Sequence, residues 1–86
     1  MPRISSFFGI TIAMYYDDHP PPHFHIEYAG HEASMLIGTL DFYAGKLPRR
    51  VHALVLEWAA LHRSELYANW QKARRGLPLD DIEPLE

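Results

Sequence analysis

The stretch "HFHIEYAGHEASMLIG", residues 23–38, has the pattern of two short strands joined by a turn. Apolar residues alternate with polar ones in both halves: Phe24, Ile26 and Tyr28 in the first, Ala33, Met35 and Ile37 in the second. This two-residue period is typical of a strand with one buried face. Gly30 and His31 lie between the halves and predict a two-residue turn with glycine in its first position. The resulting hairpin would pair Ile26 with Met35 and place all six apolar residues over one core.

The opposite face of the same hairpin carries the residues of greatest chemical interest. The predicted register places His23, His25 and Glu27 there, opposite Gly38, Leu36 and Ser34 respectively. Because alternate residues of a strand point to the same side, the two histidines are expected to be neighbours. Polar groups concentrated on a loop and the strand that follows it are more often binding residues than packing residues.

His19 stands at the other end of the loop "DHPPPH", residues 18–23. A polyproline segment advances about 3.1 Å per residue, which would hold His19 about 12 Å from His23. Two ligands of one metal need nitrogens within about 4 Å, given bonds near 2 Å. A shared site therefore requires a bend, either at a cis proline or at the Asp17-Asp18 turn. Asp18 is expected to form that turn or to orient His19 or His23 through a ring N–H.

Further elements precede and follow the hairpin. Phe8, Ile10, Ile12, Met14 and Tyr16 alternate as a strand, and Ile4–Phe7 would pair with it across a Phe8-Gly9 turn. A helical stripe follows: Val51, Val55, Trp58, His62, Leu66, Asn69 and Ala73, widened by Leu54, Leu61 and Trp70. Pro48 and Gly76 suit its two ends. Ser64 is positioned to cap a second helix, which predicts a break near Arg63 or one long bent helix. The tail, residues 77–86, returns to a short spacing of apolar residues, which predicts an edge strand through Ile82.

These patterns predict an α+β fold: a small antiparallel sheet of about four strands, with one or two helices packed on one face. The 86 residues suffice for one domain, 1–86, with strands within 3–42, a helical layer at about 48–75 and a C-terminal tail at 77–86.

No cysteine is present, so disulfides and thiolate metal sites are excluded. The start lacks the features of a secretory signal and no apolar run has the length of a membrane span, so a cytoplasmic location is expected.

The sequence resembles a small bacterial family catalogued as domain of unknown function 4160. The resemblance is carried by "DHPPPHFHIEY" (18–28), by "MPRISSF" (1–7) and "LEWAALHRSELYANW" (56–70), and by the closing "IEPL" (82–85). The resemblance implies no established activity. Genes of that family often lie beside those of another small uncharacterised family, an arrangement similar to toxin–antitoxin pairs. The resemblance therefore implies a protein partner from a neighbouring gene.

Partner binding is the leading hypothesis for function. Asp18, Pro20, Pro21, Pro22 and Phe24 are the expected contacts, because a rigid proline loop loses little entropy when it binds. The partner would be a neighbouring-gene product or a second copy of the chain. Under the alternative in which this stretch is only structural, the prolines fix the loop and the histidines satisfy backbone carbonyl groups.

A metal site or a histidine-based enzyme at the same surface is the alternative function. The candidate ligands are His19, His23, His25 and Glu27, and His31 is a further candidate. These side chains suit zinc, nickel or copper. Without a metal, His23 and His25 would be the catalytic acid and base of an RNA or phosphoester hydrolase. Arg49, Arg50, Tyr28 or Tyr43 would then neutralise phosphate charge. The net charge of −3 disfavours RNA as a partner.

Overall fold

A computed structural model of the protein describes residues 2–86, all of the chain except Met1. The elements follow one another in the order of five strands and then two helices. The strands are β1 (Arg3–Phe7), β2 (Ile10–Ala13), β3 (His23–Tyr28), β4 (His31–Leu36) and β5 (Phe42–Gly45). The helices are α1 (Arg49–Leu61) and α2 (Arg63–Arg74).

The five strands form one antiparallel sheet in which each strand pairs with the next along the chain. The α+β class predicted from the sequence is confirmed. The sheet has one strand more than the four predicted. The fifth strand, β5, was not predicted because it lacks alternation of buried and exposed residues: three of its four residues are exposed.

The β3–β4 hairpin differs from the predicted register by two residues. Its turn is Ala29-Gly30, and Tyr28 faces His31 where Ala33 was predicted. Both turn residues have positive φ, 46° and 85°, as the twist of a two-residue hairpin requires. Glycine therefore occupies the second turn position. A shift of two preserves the side-chain period, so every residue keeps its predicted face although its partner changes.

The predicted β1–β2 hairpin across Phe8-Gly9 is confirmed, and it uses the same kind of turn, with φ of 51° and 78°. The predicted alternation is too long at both ends. Phe8 and Tyr16 are exposed, whereas Ile10, Ile12 and Met14 are fully buried. The strand ends at Ala13 because the chain then turns into the proline loop.

The helical region breaks at His62, whose φ of −120° and ψ of 23° are not helical. The predicted break is therefore confirmed, but Ser64 does not cap the second helix. Ser64 lies inside α2, and neither helix has a side-chain cap hydrogen bond at its N-terminus. Leu61 was predicted to widen the apolar stripe, yet it is 69% exposed at the last position of α1.

Trp58 of α1 is the largest fully buried side chain of the core. Its ring lies 5.4 Å from that of Phe7 and 6.2 Å from that of Phe24, so one side chain contacts β1 and β3. Its indole N–H donates a hydrogen bond to the backbone carbonyl of Glu83, 2.8 Å away. Trp58 thus joins the sheet, the helix and the C-terminal tail.

The tail covers β1 without becoming a strand, which corrects the prediction of an edge strand through Ile82. Ile82 is buried, and its N–H donates to the carbonyl of Ile4 at 2.8 Å. Pro78 and Pro84 lack backbone N–H groups, so the segment is poorly suited to a continuous ladder. Asn69 holds the tail by two hydrogen bonds to the backbone of Asp80, each 2.9 Å.

The two helices contain 13 and 12 residues. Within residues 2–86, no helix has the length and apolar character that crossing a bilayer requires.

Gly45→Ala is expected to destabilise the protein more than Gly30→Ala. Both glycines have positive φ, so alanine at either costs about 1–2 kcal/mol of conformational energy. At Gly45 a Cβ would also clash with the carbonyl oxygen of Glu32, whereas no heavy atom lies within 4 Å of a Cβ at Gly30. The clash adds about 1–3 kcal/mol, the typical cost of overpacking. Urea denaturation of the two variants measures the difference, and equal midpoints would contradict this account.

Candidate metal centre

His23 and His25 lie two residues apart on β3 and share a face of the strand. Their ring centroids are 5.1 Å apart. The intervening Phe24 points to the other face, where it is fully buried in the core. Burial of Phe24 therefore fixes the side of the sheet on which the two imidazoles lie.

Asp18 completes the cluster from the preceding loop, in which the Pro20–Pro21 peptide bond is cis. The Asp18 Oδ2 atom is 2.8 Å from His25 Nε2 and 3.5 Å from His23 Nε2. One ligand-type atom from each of these three residues lies within 4.8 Å of the other two. We call Asp18, His23 and His25 the Asp–His–His cluster.

The ring of His23 is oriented by a backbone hydrogen bond. Its Nδ1 atom lies 2.7 Å from the carbonyl oxygen of Pro21, which only accepts hydrogen bonds, so Nδ1 carries the proton. In the neutral ring the lone pair is then on Nε2, the atom that faces Asp18. This arrangement, with one ring nitrogen donating to a carbonyl and the other free, is the usual one for a metal-binding histidine.

Aromatic side chains enclose His23. Its centroid lies 5.1 Å from that of Tyr43 on β5 and 5.4 Å from that of Trp70 on α2. Only 5% of the residue is exposed. These contacts restrict the ring to one orientation and keep water away from one side of the cluster.

The other side of the cluster is open. The side chains of His25 and Asp18 are 30% and 20% exposed. A pocket of about 240 Å³ begins beside His25 and is lined also by Glu32, Ala33, Ser34, Ala44 and Gly45. A small ligand therefore has access to His25 from the face of the sheet.

Negative charge surrounds this opening. Glu27 and Glu32 are exposed and directly opposite one another on β3 and β4, where like charges are unfavourable. Within residues 2–86, no Lys or Arg forms an ion pair with Glu27, Glu32 or Asp18. A divalent cation would relieve this repulsion, whereas an anion would be repelled.

Tyr15 packs edge-on against His25, with centroids 4.5 Å apart. Burial, followed by the negative charges of Glu27, Glu32 and Asp18, raises the pKa of Tyr15 above its ordinary value of 10.0. The phenol therefore stays neutral beside the cluster at physiological pH.

The structure brings together some of the residues singled out from the sequence and separates others. His23 and His25 are neighbours as predicted, but His19 and Glu27 are exposed and lie outside the cluster. Asp18 supplies the carboxylate in their place. The sequence predicted that Asp18 would orient His19 or His23, whereas the structure places its hydrogen bond on His25.

Of the residues expected to contact a partner, the prolines are accessible and Phe24 is not. Pro20 and Pro21 are exposed and Pro22 is half-buried, so the loop remains accessible. Phe24 has no exposed surface and belongs to the core. Of the residues considered for phosphate neutralisation, Tyr43 contacts His23, whereas Arg50 and Tyr28 line a separate pocket.

Raising the pH past 10.0 should destabilise the wild type more steeply than Tyr15→Phe. Because the folded-state pKa is raised, the unfolded phenol loses its proton first. The contribution of Tyr15 to the free energy of unfolding is complete below pH 10.0. It is lost as the pH rises through the folded-state pKa of Tyr15. Chemical denaturation of both proteins at neutral and alkaline pH tests this. Equal losses of unfolding free energy would show that the pKa of Tyr15 is not raised.

Comparison with known proteins identifies a family. A family model described as "Domain of unknown function (DUF4160)" matches residues 9–71, well over half of the chain and inclusive of the entire Asp–His–His cluster. No curated protein and no solved structure gives a significant match. The chain therefore belongs to the DUF4160 family.

Proposed function

We propose that the protein binds a divalent transition-metal ion through Asp18, His23 and His25, with Zn²⁺ as the first candidate. The hydrogen bond from His23 Nδ1 to the Pro21 carbonyl carries the proposal, because it leaves the Nε2 lone pair directed toward Asp18. Asp18 and His25 each offer a further ligand atom in the same cluster.

The spacing of the three donor atoms supports the proposal. With metal–ligand bonds of 2.0–2.2 Å, a tetrahedral zinc centre separates its donors by about 3.4 Å. The separations from Asp18 Oδ2 are 2.8 Å to His25 and 3.5 Å to His23, and all three donors lie within 4.8 Å. These distances bracket the required value, so rotation of the more exposed side chains of Asp18 and His25 suffices to seat an ion.

Three protein ligands leave at least one coordination position free. Two imidazoles and one carboxylate suit zinc, nickel or copper, and three-ligand centres are typical of sites that hold a water molecule or a substrate. The pocket beside His25 is where that additional ligand would enter.

Metal-free hydrolysis of RNA or another phosphoester is less well supported. The two histidines of the cluster and the hydrogen bond between Asp18 and His25 would suit acid–base chemistry. Phosphate groups, however, would approach the unneutralised carboxylates of Glu27 and Glu32. The candidate arginine Arg50 lines a different pocket. The local charge therefore favours a cation over a phosphate.

Zinc binding to untagged protein should depend on the three residues of the cluster and not on its sequence neighbours. We expect Asp18→Asn and His25→Ala to weaken binding by more than the roughly 100-fold that loss of an outer-shell partner can cost. His19→Ala and Glu27→Gln are the matched controls, because both residues are exposed and outside the cluster. Isothermal titration calorimetry measures the affinities.

His23→Asn serves as a further variant, with its fold checked by circular dichroism because His23 is buried. If Asp18→Asn and His25→Ala bind zinc as tightly as the wild type, or if His19→Ala abolishes binding, the assignment of ligands is wrong. Metal analysis of protein purified without chelator identifies the ion carried from the cell.

Docking of a protein partner on the proline loop is the second candidate function. The observation that favours it is the exposure of His19, Pro20 and Pro21 beside the cluster. The candidate partner is the neighbouring-gene product, in a two-gene module that resembles toxin–antitoxin pairs. His19→Ala combined with Pro20→Ala should weaken a complex with that product in gel filtration while the melting temperature stays unchanged. Co-elution equal to that of the wild type would reject this surface.

A further inference from the structure

A second pocket lies apart from the Asp–His–His cluster. It has a volume of about 240 Å³ and is formed between the β1–β2 turn, the end of β3 and the beginning of α1. Its lining is mostly apolar, with one guanidinium group: Phe8, Tyr28, Arg50, Val51 and Leu54.

Phe8 is unusual in both conformation and exposure. It has a φ of 51°, in a turn position that favours asparagine, aspartate or glycine, and it is 60% exposed. Its ring packs edge-on against that of Phe7, with the centroids 6.4 Å apart. Folding alone thus gives little reason for a large aromatic residue here. An exposed ring at the rim of a pocket is instead suited to contact with another molecule.

Two arginines make this end of α1 basic. Arg49 and Arg50 occupy the first turn of the helix, where positive charges oppose the helix dipole, and that turn contains no acidic residue. Neither arginine forms an ion pair with any residue of 2–86. No Asp or Glu occurs from residue 42 to residue 56, although the whole chain has a net charge of −3. The arrangement is unfavourable for the isolated helix and complementary to an acidic ligand.

We infer that this pocket docks an acidic peptide segment of a partner protein, with an apolar side chain in the pocket and a neighbouring carboxylate on Arg50. Charge complementarity selects an acidic occupant. The volume selects a peptide side chain, because sites that enclose a whole small molecule typically measure about 300–1,000 Å³. This inference does not depend on metal binding, because the two sites share no residue.

The test is an NMR titration of ¹⁵N-labelled full-length protein with two capped six-residue peptides. One has two central leucines flanked by two glutamates on each side, and the other has lysines in place of the glutamates. The acidic peptide should give saturable shifts at the amides of Phe8, Tyr28, Arg50, Val51 and Leu54. The basic peptide should bind at least tenfold more weakly.

Two variants separate binding from folding. Arg50→Glu should reverse the peptide preference, whereas Arg75→Glu, an equal charge change at an exposed site beyond α2, should leave it unchanged. Phe8→Asn should abolish the saturable shifts without lowering the melting temperature, because asparagine suits the positive φ. A large fall in melting temperature on Phe8→Asn would instead assign Phe8 to the fold.

The inference is overturned by equal binding of both peptides, by shifts spread over other faces, or by the absence of a saturable shift at millimolar peptide. Concentration-dependent shifts at the same amides without peptide would identify a second copy of the chain as the occupant, which also overturns it.

Discussion

Burial of Trp58 is the packing constraint on which the rest of the structure depends. A domain of this length buries only about 60% of the surface that its unfolded chain exposes, so a few large side chains must hold its layers together. Trp58 contacts Phe7 of β1 and Phe24 of β3, and its indole N–H binds the tail at Glu83. Loss of this one side chain would remove the aromatic contacts between α1 and the sheet together with the hydrogen bond to the tail.

The same packing positions the Asp–His–His cluster, because alternate residues of β3 point to opposite faces of the sheet. Phe24 is fixed against Trp58 on one face, and strand geometry then places His23 and His25 on the other. Trp70 of α2 and Tyr43 of β5 restrict the ring of His23 further. The cluster is therefore built on rigid elements, with only Asp18 supplied by a loop, and this rigidity suits a site that must present fixed ligands.

The two proposed sites differ in charge. Asp18, Glu27 and Glu32 make the surroundings of the cluster negative, whereas Arg49 and Arg50 make the pocket at α1 positive. A cation and an acidic peptide would consequently be drawn to separate parts of the molecule. A small protein with these two surfaces would be able to bind a metal ion and a partner at once, because neither ligand occupies the residues of the other.

Local patterns in the sequence were sufficient for the types of β1 to β4 and of the two helices, for the two early hairpins, for the break between the helices and for the shared face of His23 and His25. Each of these follows from side-chain period or turn preference over a few residues. Tertiary structure alone decided that Asp18, and neither His19 nor Glu27, joins the histidines, because the path of the proline loop depends on contacts distant in sequence. It also decided the register of β3 against β4 and the bound, non-strand path of the tail. A shift of two residues leaves the alternation unchanged, and the tail is held by Ile4, Trp58 and Asn69, which lie far from it along the chain.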